Sequence, residues 1–243
     1  MKSLIVFSIL AISSLSYPLI NALPLKASPD VVRIIFHNQW MCTGVFLDEA
    51  TVLTAAHCIP PSNDKHRGVD LFFSDSDRLL EVTQIESFVH PEFKAQAWHS
   101  FDVAIIKTTR NKNFKADFKL EKNSVASFGE AALFGCGKSD LAQNTRARTT
   151  GANSFLRIGS ILFFIGKSSN TESSLGVRVS IAPNDSGGPI IDKHSGRIIG
   201  IATTTTVKQS AQYGVLTLST GTSTLSTANL EFILRHLKTG EAF

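Results

Sequence analysis

The chain has little of several things that would otherwise direct a reading. In 243 residues there are three cysteines, two methionines, two tryptophans and two tyrosines, against seventeen phenylalanines. So few cysteines exclude a disulfide-dense miniature scaffold. A chain of this length must be held mainly by its core, and an apolar share of 43% is enough to fill one. The cysteines at 42, 58 and 136 also lack the short, repeated gaps of a zinc site. No run of three or more Lys or Arg occurs, so a formal charge of +4 does not mark a nucleic-acid partner. Beyond the first residues there is no apolar run long enough to cross a bilayer; Ile158 to Ile165 is far too short. No cofactor and no metal are expected.

Residues 1–22 have the make-up of an export leader. Lys2 gives a positive start, Leu4 to Leu15 is apolar with only serine interrupting, and small residues follow at Ser14, Ser16 and Ala22. Cleavage is expected after Ala22 or after Ser16. An uncleaved anchor is disfavoured because Pro18 and Asn21 interrupt a run already short of the roughly 20 residues of a span. The mature chain is therefore expected to be secreted or periplasmic, without stable membrane association. In that setting Cys42 and Cys58 are the natural disulfide pair, contributing about 3 kcal/mol through loop closure. Cys136 is left as the odd thiol.

Helical periodicity is scarce. Short runs rich in β-branched and aromatic residues recur instead, among them Val31–Phe36, Thr51–Thr54, Leu80–Phe88, Asp102–Lys107, Ala131–Gly135, Phe155–Ile165, Gly176–Ile181, Gly196–Thr205 and Tyr213–Leu218. Turn residues separate them, as an all-β barrel or sandwich requires. About a dozen such strands suggest two barrels, with the polar segment Thr108–Asn123 as the boundary. Near the end, Leu230, Ile233, Leu234 and Leu237 fall at i, i+3, i+4 and i+7, which predicts one helix with a single apolar face.

Three segments carry chemistry: Cys42 to Cys58, which ends Thr54-Ala-Ala-His57-Cys58; Phe101-Asp-Val-Ala-Ile-Ile-Lys107; and Asn184-Asp-Ser-Gly-Gly-Pro-Ile190. A serine hydroxyl is a poor nucleophile until a base takes its proton, and that base must be held in one tautomer by a buried acceptor. His57 can be the base, Asp102 opens an apolar strand where burial suits an acceptor, and Ser186 lies in a glycine-rich turn that admits a substrate carbonyl. The order His, Asp, Ser is one of three known routes to this geometry. Each piece alone is commonplace: a histidine beside a cysteine, a turn-capping aspartate, a serine in a loop. All three together, in order and suitably spaced, are not.

Taken together these segments resemble the trypsin/chymotrypsin serine peptidases, over nearly the whole chain from about residue 30. The resemblance implies an all-β fold of two six-stranded antiparallel β-barrels, residues 29–118 and 119–243, with a C-terminal α-helix packed back on the body. It implies a catalytic triad of His57, Asp102 and Ser186, and an oxyanion hole made by the backbone N–H groups of Asn184 and Ser186. Asn184 stands where the family has glycine; asparagine tolerates positive φ best among the other residues. Asp185 is the residue that in relatives receives the α-ammonium group freed by zymogen cleavage. The usual Ile-Val-Gly-Gly start is absent, so leader removal alone is expected to give competent enzyme.

The resemblance also maps the substrate pocket. Ser180 falls at its floor, where no acid waits for Arg or Lys, and Ala202 stands where glutamate-specific relatives place histidine. Thr205 and Gly214 fall at the walls, and Thr203 is where a family serine supports the catalytic aspartate through its hydroxyl. A threonine at one wall implies a small or medium apolar P1 residue. Cys136 is expected to be a packed free thiol. His99 either lines the cleft or is a solvated loop histidine. Asp70, Asp75, Asp77 and Glu81 are read as a solvated acidic loop rather than a calcium site, since no ordered ligand spacing is visible. The expected protein is a monomeric secreted serine endopeptidase acting on polypeptide substrates. The alternative is a catalytically silent protein that keeps the fold as a protein-binding module.

Overall fold

The computed structural model describes residues 23–25, 30–36, 40–60, 69–72, 79–82, 86–95, 100–108, 116–136, 148–167, 181, 184–210 and 214–237. The expected leader, Ser180, His99, Asp75 and Asp77 lie outside these residues, as does the run Gly176–Ile181 apart from Ile181. A short first strand, β1 (Leu23–Leu25), joins the second of two sheets. The first sheet is formed by β2 (Val31–Phe36), β3 (Trp40–Asp48), β4 (Thr51–Thr54), β5 (Val69–Phe72), β6 (Leu79–Val82), β7 (Glu86–Val89) and β8 (Ala104–Lys107). Its order is β6-β5-β2-β3-β4-β8-β7, antiparallel throughout.

The second sheet contains β9 (Phe128–Gly135), β10 (Arg148–Ile158), β11 (Ile161–Lys167), β12 (Pro189–Asp192), β13 (Ile198–Ser210) and β14 (Gly214–Ser223). Its order is β1-β10-β11-β14-β13-β12-β9, and a further β10–β9 pairing closes six strands into a barrel, with β1 attached at Arg148–Thr150. The chain then forms one helix, α1 (Thr227–Leu237).

Two expectations change here. The second barrel is closed with six strands, but the first sheet has seven, and no pairing between its edge strands β6 and β7 is seen among the described residues. Within the expected run Leu80–Phe88 the described residues fall in β6 and β7, and residues 83–85 lie outside the described residues. The run Phe155–Ile165 is likewise two strands. Ile158 pairs with Ile161 across a two-residue turn in which Gly159 takes φ +60, a conformation that suits glycine at a tight hairpin.

Burial explains the strand composition. β4 and β12 are buried at every residue, and β8 at all but its last, because one face lines a sheet interior while the other meets neighbouring structure. One apolar cluster runs from Ile34, Phe46, Leu53 and Ile105 of the first sheet to Ile198, Ile201, Phe232 and Ile233. A second, containing Leu133, Phe155, Leu162, Phe164, Ile190 and Ile199, fills the closed barrel. Burying a side chain such as Phe46 or Phe164 stabilises by about 1.5–3 kcal/mol. On the barrel's outside, Phe128, Leu156, Ile158 and Ile165 are exposed.

Polar links join the halves. Buried Arg33 donates Nε and Nη2 to the Cys136 carbonyl at 3.1 and 2.9 Å, tying β2 to the end of β9. Leu120 in the connecting segment bridges to Ile198. Asp30, fully buried, accepts the backbone N–H groups of Asp117 and Phe118, and its burial raises its pKa against the lowering effect of those bonds.

Candidate active site

The histidine is presented by a turn that two constraints hold. After β4 the backbone stays extended through Ala55 and then enters a single 3-10 turn, Ala56–Cys58, with His57 at its centre. A disulfide joins Cys58 to Cys42 on β3, with Cα atoms 6.2 Å apart, so the turn is fastened to the sheet it leaves. Asp102 is fully buried just before β8. Its Oδ1 accepts the His57 backbone N–H at 2.8 Å, and its Oδ2 lies 2.6 Å from His57 Nδ1. A buried carboxylate can only accept here, so Nδ1 carries the proton and Nε2 is left as the acceptor.

The Ser186 turn needs its unusual residues. Asn184 has φ +75 and is the sole non-glycine residue with positive φ among those described. Gly187 has φ +84, and a Cβ there would lie 2.2 Å from both the Thr43 carbonyl and Thr54 Oγ1. The turn therefore lies directly against β3 and β4 of the other sheet. Thr43 holds it there: its N–H donates to the Ser186 carbonyl at 2.8 Å and its Oγ1 donates to the Asn184 carbonyl at 2.9 Å. The same Oγ1 accepts the Cys136 N–H at 3.0 Å, while Thr54 Oγ1 donates to the Thr43 carbonyl at 2.8 Å. Successive residues on a strand face opposite ways, so Cys42 reaches the histidine turn and Thr43 the serine turn. A threonine inside a strand gives no sequence signal for this role.

Ser186 Oγ donates to the Thr203 carbonyl at 3.2 Å. Thr203 does not support Asp102 as its position suggested: its hydroxyl donates to the Thr220 carbonyl at 2.9 Å. The cause is a bulge in the β13–β14 pairing between Ala202 and Thr204, which re-aims the residue between them. Asp185 is fully buried, and a Cβ on Gly135 would lie 2.0 Å from its Oδ1, so the carboxylate rests directly on the β9 backbone.

At the expected pocket, Thr205 Oγ1 donates to the Ile181 carbonyl and lies 2.8 Å from Ser219 Oγ, which also accepts the Ile181 N–H at 3.1 Å. Thr205 and Ser219 are cross-strand partners, whereas Gly214 pairs with Ser210 at the hairpin's far end. The residue facing Thr205 across the strand pair is thus Ser219, and the bulge between Ala202 and Thr204 shifts the register by one.

Cys136 is a free, buried thiol. Among the described residues the only grouping with metal-like proximity is Cys42, His57 and Cys58, and its two sulfurs are bonded to each other and cannot serve as thiolate ligands. Asp70 and Glu81 are backbone partners across β5 and β6, which says nothing of their side chains.

The trypsin family model matches residues 24–225, and the chain belongs to the trypsin family. Among curated proteins it is similar to mouse (Mus musculus) kallikrein 1-related peptidase b22, 32% identical over 68 residues, which are 28% of this chain and 26% of that protein. It is also similar to human (Homo sapiens) kallikrein-7, 34% identical over 79 residues, 32% of this chain and 30% of that one. The match therefore spans less than a third of either relative. Among solved structures, a Glu endopeptidase in complex with MPD superposes with a TM-score of 0.63 over 88% of this chain and 95% of that one, at 15% identity. That likeness is one of fold. No helix among the described residues is long and apolar enough to cross a membrane.

Proposed function

We propose that this chain is an exported serine endopeptidase that cleaves polypeptides through an acyl-enzyme on Ser186, with residues 29–118 supplying His57 and Asp102 and residues 119–243 supplying Ser186. The observation that carries the reading is the two-point contact of Asp102 with His57. It fixes both the backbone and the ring of the base, and leaves Nε2 as acceptor on a turn fastened beside the serine.

In the working cycle Ser186 Oγ turns from the Thr203 carbonyl to His57 Nε2. It attacks the substrate carbonyl as its proton passes to the imidazole, and Asp102 stabilises the imidazolium that forms. The tetrahedral oxygen takes hydrogen bonds from the N–H groups of Asn184 and Ser186. Each such donor is worth about 3 kcal/mol in the transition state, and the positive φ of Asn184 is the conformation a glycine would supply there. His57 then protonates the leaving amine. Water enters by the same proton route, reversed, to release the acid product.

The Thr205–Ser219 hydroxyl pair spans the region where a P1 side chain would enter, two residues along β13 from the carbonyl that holds Ser186. A bar at that depth favours small P1 residues and excludes rings. Asp185 organises the turn from below, and leader removal alone yields the working form. N-terminal sequencing of active protein tests this last point; a terminus well beyond Ala27 contradicts it.

One observation favours the silent binding module: the Ser186 hydroxyl is engaged with Thr203 rather than His57. A fluorophosphonate probe separates the two readings, since it needs an activated serine. Covalent labelling at Ser186 that is lost in Ser186→Ala supports the enzyme. A folded parent that takes no label supports the module.

A further inference from the structure

Asp102 sits in a short stretch outside the sheets, and the residues around it are held from the C-terminal helix and from His90. Asn229, in the first turn of α1, is fully buried. Its Nδ2 donates to the Ser100 carbonyl at 3.0 Å, two residues before Asp102, and to the Ser223 carbonyl at 2.8 Å, at the end of β14. One amide therefore joins the Asp102 loop to the closed barrel. His90 grips the same loop from a second side. Its N–H donates to the Val103 carbonyl at 3.0 Å, and its ring stacks on Phe101 at 4.9 Å and meets Phe232 of α1 at 5.0 Å. Its Nε2 lies 3.4 Å from the Ala228 carbonyl at the start of α1.

The amide is a costly way to fill this space. Asn229 Oδ1 is buried with no hydrogen-bond partner, so the residue gives up half its bonding capacity to the interior. What it provides in return is two N–H donors in a fixed fork, each aimed at a carbonyl on a different sheet's periphery. An aliphatic side chain of the same size would pack as well but would leave both carbonyls without it.

We infer that Asn229 is a positioning residue for the His57–Asp102 pair: it sets the place of the loop that carries the carboxylate, and so the line from Oδ2 to Nδ1. This rests on the proposed triad mechanism. Misplacing a catalytic group by an ångström costs on the order of 100-fold in rate. The loss should fall on the chemical step, because Asn229's hydrogen bonds go to Ser100, Ser223 and Ser226 and not to the Ser186 turn or the Thr205–Ser219 bar.

The test compares the full-length mature parent with Asn229→Leu and with Leu234→Ala, a partly buried change on the same helix. Asn229→Leu is expected to lower kcat by about 10- to 100-fold with KM within about twofold, and to shift or broaden the downfield His57 Nδ1 proton resonance. Leu234→Ala is expected to lower Tm without either change. If Asn229→Leu fails to fold, Asn229→Ser, with one donor for two, replaces it and must show the same split between kcat and KM. An active parent whose Asn229 variants keep parental kcat and resonance overturns this inference alone. A drop in kcat matched by Leu234→Ala at equal Tm loss overturns it as well. A parent that neither cleaves peptides nor takes the fluorophosphonate label overturns both the inference and the mechanism beneath it.

Discussion

The two sheets solve the same problem in different ways. The β9–β14 barrel closes on itself, so its six strands have no free edge and need no cross-link. Among the described residues the β2–β8 sheet shows no pairing between its outer strands β6 and β7, and it is the half that carries the disulfide. The site draws on both. The proposed base and its carboxylate, His57 and Asp102, come from the fastened sheet. The proposed nucleophile, Ser186, comes from a turn of the closed barrel, which approaches the first sheet so closely that only glycine fits at 187. Closure supplies rigidity to one half, and local fastening supplies it to the other.

The largest expected effect ignores this division. Ser186→Ala and His57→Ala should each lower turnover by about 10⁴ or more, with the fold intact, because the two act as one unit although they sit on different halves. Steady-state kinetics with circular dichroism check this, and a Ser186→Ala protein that keeps a tenth of the parent rate would contradict the mechanism.

Removing the disulfide sharpens the comparison. Cys42→Ala combined with Cys58→Ala should cost about 3 kcal/mol of stability by urea denaturation. Hydrogen exchange should show the lost protection in β3 and β4 before β9–β14. Equal loss in both halves would mean that the barrel depends on the staple of its neighbour.

Next comes the proposed pocket, whose Thr205 and Ser219 both lie on strands of the barrel. Thr205→Gly with Ser219→Gly should shift P1 preference from small residues toward Phe, Tyr or Leu, a change of about 1–3 kcal/mol in discrimination. A peptide-library profile reads it directly, and an unchanged profile would remove the hydroxyl bar from the specificity account.

The smallest effect is on pH. Burial lowers the pKa of His90 below its ordinary value of 6.5, against weaker raising effects from the Ala228 carbonyl and Glu92. The folded state thus prefers the neutral ring. The stability this provides is full above 6.5 and is lost as pH falls through the folded value. His90→Gln should lose less Tm than the parent between neutral and mildly acidic pH. An identical slope would assign the acid sensitivity elsewhere.

Much of this was legible in the sequence where chemistry demands particular residues. His57, Asp102 and Ser186 announce themselves through their neighbours, and the glycines after Ser186 because nothing else fits. The helix was legible in its existence and in its apolar face: Ile233 is fully buried, and Leu230, Leu234 and Leu237 pack partly buried against the core. Asn229 and Phe232, which that pattern leaves out, are buried beside them. A polar residue on a helix reads as solvent-facing, which hid Asn229. Thr43 was hidden because its role depends on which strand crosses which turn. Ser219, which carries no sequence signal, was not found, because a bulge among consecutive threonines moves the register by one residue, and a period of two cannot reveal that.

The buried Cys136 bears on how the molecule is made. Three cysteines allow three single-disulfide isomers, and the Cys42–Cys58 form leaves its spare sulfur on Cys136, a buried residue whose backbone is bonded to Arg33 and the Thr43 hydroxyl. The thiol is thus covered while the fold is intact, and a mispaired isomer would have to give up the link that fastens the histidine turn to β3. A chain loosened there offers thiol exchange easier access than the folded one does.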